Sequence, residues 1–238
     1  MKKISSLARL VIASSALGLA AAKVCAAQGD AGIGIEQIVP LIYPVSMMAE
    51  GIYSGEVRAV ISVDAEGNLS DWLVTGYTQK AFADAAASAL QQWKYEPTIV
   101  AGRPRASRAD ILFKFRSEGV IVMTLPGTSV RHAFRQMLEE HYVYRPNRLS
   151  DLDRIPTPVH VVSPAARIDG PPRKVTVGFY IDEEGRVRMP AVERESADDL
   201  LAAASVAAVE QWRFEPPLRK GRHVLVYANQ DFTFKPRE

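Results

Sequence analysis

The sequence predicts an α+β chain made of two tandem copies of one ββαβ domain, each a three-stranded antiparallel sheet with one helix packed on one face. Three observations predict it. Gln92-Trp93-Lys94-Tyr95-Glu96-Pro97 returns as Gln211-Trp212-Arg213-Phe214-Glu215-Pro216 at a shift of 119 residues. Other anchors keep the same order at nearly the same shift: Val63-Asp64 with Gly67-Asn68-Leu69 answers Ile181-Asp182 with Gly185-Arg186-Val187, and Phe113-Lys114-Phe115 answers Phe232-Thr233-Phe234. Within each copy the apolar period also passes from two to that of a helix and back to two.

The N-terminus reads as an export signal over residues 1–27. Lys2, Lys3 and Arg9 surround the start of an apolar stretch from Leu10 to Ala22, and Val24-Cys25-Ala26 or Cys25-Ala26-Ala27 offers the small residues a signal peptidase needs. A membrane span needs about 20 apolar residues, so cleavage into the periplasm is expected, with an uncleaved inner-membrane tether as the alternative. Lys23-Val24 precedes the only cysteine where a lipidation signal would carry a small or apolar pair. Removal of the leader takes away four basic residues and leaves 25 basic against 27 acidic ones, so the basic balance belongs to the leader and gives no case for nucleic acid. It also removes the thiol, and with it any disulfide, Cys-ligated metal or Cys nucleophile.

The first domain is expected over 36–117. Gln28 to Ile35 is Gly-rich and reads as a lead-in, its Gly32-Ile33-Gly34 lacking the strand and third glycine of a dinucleotide site. Val57, Ala59, Ile61 and Val63 alternate with polar positions as a first strand, and Asp64-Ala65-Glu66-Gly67 turns it into a hairpin. The return strand, 69–74, changes phase between Leu69 and Val74, which predicts a bulge. Phe82, Ala85, Ala86, Ala89, Leu90 and Trp93 then make one helical stripe. Glu96-Pro97 stops the helix region, and Ile111, Phe113 and Phe115 share one face of a last strand that a right-handed crossover places beside the first.

Residues 118–157 read as a connector. Val120 to Leu125 is one extra strand, and Ser129 starts a short helix with Val130, Phe134, Met137, Leu138 and His141 on a stripe. His132 and His141 stand nine residues apart without metal-ligand spacing. The second domain, 158–236, repeats the plan: Val175, Val177, Phe179 and Ile181; a turn at Asp182 to Gly185; a strand from Val187 to Val192 that Pro190 marks as an edge; and a helix opened by Ser196 with Asp199. Leu201, Ala204, Ala208, Val209 and Trp212 line that helix, and Val224, Val226, Phe232 and Phe234 close the sheet, with Asn229-Gln230 as a bulge or break.

The ordered set Tyr43-Pro44, Gly55-Glu56-Val57, Val63-Asp64, Gly67-Asn68-Leu69, Trp93 to Pro97, Gly102 and Phe113-Lys114-Phe115, repeated with Pro164, Ile181-Asp182, Gly185, Trp212 to Pro216, Gly221 and Phe232-Thr233-Phe234, resembles the C-terminal domain of TonB and its TolA-like relatives. The resemblance implies a periplasmic domain that binds a short peptide of an outer-membrane receptor by β-strand addition, in energy-transducing transport. It differs in lacking a long Pro-rich spacer.

The candidate docking strands are Ile111, Leu112, Phe113, Lys114 and Phe115 in the first copy and Val226, Asp231, Phe232, Thr233 and Phe234 in the second. Against docking stands the possibility that the copies pair with each other or that Val120 to Leu125 covers an edge, since exposed edges are usually protected. Partners expected are a receptor or other envelope peptide, with a homodimer possible and no nucleic acid, small-molecule substrate, metal or cofactor. No Gly-x-Ser-x-Gly, His-Glu-x-x-His or phosphate loop is present, and the acidic runs fall in turns, so no enzyme is expected. The alternative function is a structural or envelope-assembly protein whose tandem domains form a pseudo-dimer.

Overall fold

A computed structural model describes residues 10–11, 23–26, 33–100, 102–125, 141–166, 168–193 and 199–236. The chain divides into two compact units, Met1–Tyr144 and Arg145–Glu238.

In the first unit the strands are β1 (Leu10–Val11), β2 (Lys23–Ala26), β3 (Gly34–Gln37), β4 (Ser54–Val63), β5 (Leu69–Tyr77), β6 (Lys94–Glu96), β7 (Thr98–Val100), β8 (Arg103–Arg105), β9 (Ser107–Arg116) and β10 (Gly119–Leu125). The helices are α1 (Val45–Ala49) and α2 (Lys80–Leu90). One sheet runs β1-β2-β10-β9-β4-β5, and β9 lies beside β4 as the crossover requires. Asp64 accepts Asn68 Nδ2–H at 3.0 Å and the backbone N–H of Asn68 and Glu66 at 2.7 and 3.0 Å, which closes the β4–β5 hairpin and holds its carboxyl below the usual carboxylate range. The phase change in β5 is met by two register shifts, with Ser70 and Thr75 as the extra residues.

An isolated helix as short as α2 is marginal in water, so packing stabilises it. Phe82, Ala83, Ala86, Ala89, Leu90 and Trp93 are buried against Val57, Ala59 and Ile61 of β4 and Ile111, Phe113 and Phe115 of β9. Burying each large apolar side chain contributes roughly 1.5–3 kcal/mol. Gly55 admits the Phe82 ring onto β4, where any Cβ would collide with it.

The second unit carries β11 (Pro158–His160), β12 (Arg173–Ile181), β13 (Val187–Val192), β14 (Arg213–Phe214), β15 (Leu218–Arg219), β16 (Arg222–His223) and β17 (Val226–Phe234), with α3 (Asp199–Glu210). Its three-stranded sheet runs β13-β12-β17, so β13 is an edge as Pro190 predicts. The β12–β13 register shifts at Met189 and Pro190, and Met189 takes a φ of 50° there. Leu201, Ser205, Ala208, Val209 and Trp212 are buried on the sheet side of α3, while Ala204 is half-buried.

The repeated phrase does the same work in both units. Trp93 Nε1 donates to the Val39 carbonyl at 3.0 Å, and Trp212 Nε1 donates to that of Val162 at 2.7 Å. Each ring is buried, and each ties the lead-in to the end of its helix. The residues that follow pair with the lead-in itself, β6 with β3 and β14 with β11. The turn glycines Gly67 and Gly185, at φ +87° and +81°, lie against the carbonyls of Tyr95 and Phe214.

Four expectations are corrected. The first sheet is six-stranded and not three-stranded, because β10, β2 and β1 extend it beyond β9. Gly34 and Ile35, expected in a linker, belong to a strand whose neighbour Ile33 is buried. Asn229-Gln230 makes neither bulge nor break, since β17 pairs with β12 without a register shift. Val224 falls before the closing strand. The helix expected from Ser129, with His132, and the Ser196 cap lie outside the described residues, as does most of the expected leader.

Candidate docking edge

The closing strand of each repeat, β9 and β17, is the candidate edge, and the two have different surroundings. β9 pairs antiparallel with β4 over its whole length and with β10 from Asp110 to Arg116. Ile111, Leu112, Phe113, Lys114 and Phe115 therefore lie inside a sheet, which corrects their placement on an edge. A turn at Ser117-Glu118 sends the chain straight back, and Val120 and Val122 bury themselves in the same core as Phe113. Ile111, Phe113 and Phe115 point into that core, Leu112 is buried on the opposite face, and Lys114 reaches Glu56 at 3.7 Å.

Among the described strands β17 pairs only with β12 in its sheet. In an antiparallel ladder, successive residues direct their N–H and C=O groups alternately to the two sides. Tyr227 donates its N–H outward to the Asn147 carbonyl at 3.1 Å, so Asn229, Asp231 and Thr233 point their backbone groups outward too. Among the described residues no other strand meets them, although Gln230 Nε2 donates to the Asp231 carbonyl at 2.8 Å. All three residues are exposed. Of the expected set, Asp231 and Thr233 thus lie on an open margin, Phe232 is half-buried against Trp212, and Val226 and Phe234 are core residues.

The margin is polar on the face away from α3. Lys174 Nζ lies 2.8 Å from the Asp231 carboxylate and Thr176 Oγ1 donates to it at 2.6 Å; these bonds hold that carboxyl below its usual range. Glu193 accepts from Tyr227 Oη at 2.8 Å and from Asn229 Nδ2 at 3.4 Å. Gly178 leaves room beneath, since a Cβ would run into the Tyr227 hydroxyl. Such an edge can supply backbone donors and acceptors to an extended segment. Among the described residues no cluster of three or more His, Cys, Asp or Glu is set to hold a metal, and no helix is long and apolar enough to cross a membrane.

Sequence reasoning missed Asn147 and read Asn229 as part of a bulge or break. Asn229 carried a signal in its alternation with Asp231 and Thr233; Asn147, 79 positions before Val226, carried none.

The family model for the Gram-negative bacterial TonB protein C-terminal matches residues 39–116 and again 164–236, together more than half of the chain. The chain belongs to this family, and it holds two copies of the TonB C-terminal domain. Protein TonB of Vibrio cholerae serotype O1 is 36% identical over 78 residues, which cover 32% of this chain and 32% of that protein. The match therefore spans about a third of that relative's length. The solution structure of the Pseudomonas aeruginosa TonB C-terminal domain is 26% identical and aligns with 35% of this chain and 85% of its own, at a TM-score of 0.31.

Proposed function

We propose that this chain is a periplasmic TonB-type protein that takes an extended peptide segment of an outer-membrane receptor onto the open margin of β17, in the service of TonB-type energy-transducing transport. The observation that carries this reading is the outward row Asn229, Asp231 and Thr233, without a strand partner among the described residues. Backbone bonds supply the affinity and alternate side chains the selectivity. In the first unit the corresponding strand, β9, is already paired on both sides.

Asn229→Pro tests the reading. Proline there deletes an outward donor and leaves the β12–β17 ladder intact, because edge positions tolerate it. Capture of synthetic peptides tiling the periplasm-facing segments of outer-membrane receptors should fall about tenfold, with circular dichroism unchanged, given that a lost and uncompensated bond costs roughly 1–3 kcal/mol. Undiminished capture by a folded N229P protein rejects docking on β17.

A further inference from the structure

The open margin of β17 has a built end. Asn147 donates its backbone N–H to the Leu225 carbonyl at 2.8 Å and accepts the Tyr227 N–H at 3.1 Å, making a parallel bridge opposite Val226. Its side chain adds two bonds: Nδ2 donates to the Leu225 carbonyl at 3.2 Å, and Oδ1 accepts from Arg219 Nη1 at 2.9 Å. Four hydrogen bonds thus hold one residue where a pairing strand would otherwise continue. Beyond Tyr227 the outward positions are Asn229, Asp231 and Thr233.

We infer that Asn147 is a register stop: a segment docked on β17 pairs with Asn229, Asp231 and Thr233 alone and spans about five residues. This rests on the docking reading above and adds to it the length and chemistry of the visitor. Residues directly opposite one another in a sheet share a face. Side chains opposite Asn229, Asp231 and Thr233 therefore meet the face that carries Glu193, with which no Lys or Arg pairs among the described residues, and Asp231, which Lys174 already neutralises. Alternate side chains meet the α3 face beside half-buried Phe232. The visitor that fits is a strand alternating apolar residues with polar or basic ones, and acidic residues in the second set are disfavoured.

Backbone amide exchange by NMR on the full chain tests the stop without any partner. The Tyr227 amide should exchange at least about tenfold more slowly than those of Asn229, Asp231 and Thr233, because among the described residues it alone of the four has an outward bond. Equal rates overturn the stop and leave docking standing. Capped peptides of five and nine residues alternating valine with lysine and threonine then probe docking. They should slow Asn229, Asp231 and Thr233 together, bind within about twofold of each other, and bind more tightly than versions with glutamate for lysine. In Asn147→Pro, which lacks the N–H given to Leu225, the longer peptide should gain about fivefold over the shorter, the worth of one net hydrogen bond; Asn147→Gly, which keeps the backbone donor, should gain less. A nine-residue peptide that outbinds the five-residue one fivefold on the unaltered protein overturns the inference. If the free protein shows the expected exchange and neither peptide slows the three amides, the docking reading fails and the register falls with it.

Discussion

The two units use one apparatus and finish it differently. In both, a buried tryptophan at the end of the helix bonds a lead-in carbonyl, the following residues pair with that lead-in, and a turn glycine backs onto the next carbonyl. The divergence comes at the closing strand of each repeat: β9 is enclosed by β10, whereas β17 keeps an outward row of backbone groups that no other strand meets among the described residues. The repeated phrase determines the fold of each copy, and the segment beyond the core determines whether the copy has an edge to offer. Sheet edges are a hazard that proteins manage explicitly. The management here is local: β5 has two bulges and the Tyr144 bridge at Tyr77, β13 has Pro190 and its bulge, and β17 has Asn147 at one end.

The severest way to break the shared part is through the tryptophans. Trp93→Ala and Trp212→Ala each remove a buried ring and strand a lead-in carbonyl, so each should cost about 3–5 kcal/mol. Denaturant titration followed by residue-resolved NMR should show W93A shifting the midpoint of the first unit and W212A that of the second. A W212A protein with an unmoved second-unit midpoint would show that the phrase is not what holds that copy together.

Smaller, and sharper as a comparison, is the glycine pair. Alanine at either position must adopt a positive φ, which alone costs about 1–3 kcal/mol. At Gly67 the new Cβ would stand 2.6 Å from the Tyr95 carbonyl oxygen, and at Gly185 it would crowd that of Phe214 still more closely. Both neighbours are backbone and cannot swing away. Gly185→Ala should therefore destabilise more than Gly67→Ala in urea titrations, and the reverse order would mean that the two turns back onto their phrases in different ways.

What could be read from the sequence follows from the range of the interactions. The strand, turn and helix stripes were legible because each rests on a period or a short motif: Val57 to Val63, the Asp64 and Asp182 turns, Phe82 to Trp93. So was the order of the sheets, since a right-handed crossover leaves little choice. The pairing of Ile35 with Tyr95 was hidden because Ile33 and Ile35 alternate over only two positions among glycines, a run too short to mark a strand. Placing Ile111 to Phe115 on an edge failed for a related reason: the run from Val120 to Leu125 announced a strand without saying which neighbour it would join. Asn147 was invisible because its four bonds are to residues more than 70 positions away, and a lone asparagine between Pro146 and Arg148 looks like any loop residue.

The mildest test sets the acid behaviour of the two units side by side. Asp64 in the first unit and Asp153 and Asp231 in the second all have carboxyls held below the usual range, Asp64 first by the Asn68 side chain, Asp153 by the backbone N–H groups of Gly221 and Lys220, and Asp231 by Lys174 and Thr176. A carboxyl depressed on folding stabilises the native state above its unfolded value, about 3.9, and that contribution disappears as pH falls through the lower folded value. Both units should thus keep this contribution from neutrality to about pH 5 and lose it progressively below about pH 4. Asp231→Asn should flatten the acid slope of the second unit and Asp64→Asn that of the first, each leaving the other unit's slope alone. Because these groups are exposed, the effects are small, and salt separates their causes: 0.5 M, an added amount of roughly the strength that shortens screening to a few Å, should diminish the Asp231 share, which leans on the Lys174 charge. It should leave the Asp153 share, which leans on two fixed backbone donors at 2.7 and 2.9 Å. Thermal melts at pH 7, 5 and 3 with and without salt give the comparison, and an acid slope that D231N leaves unchanged would detach Asp231 from the stability of the β17 margin.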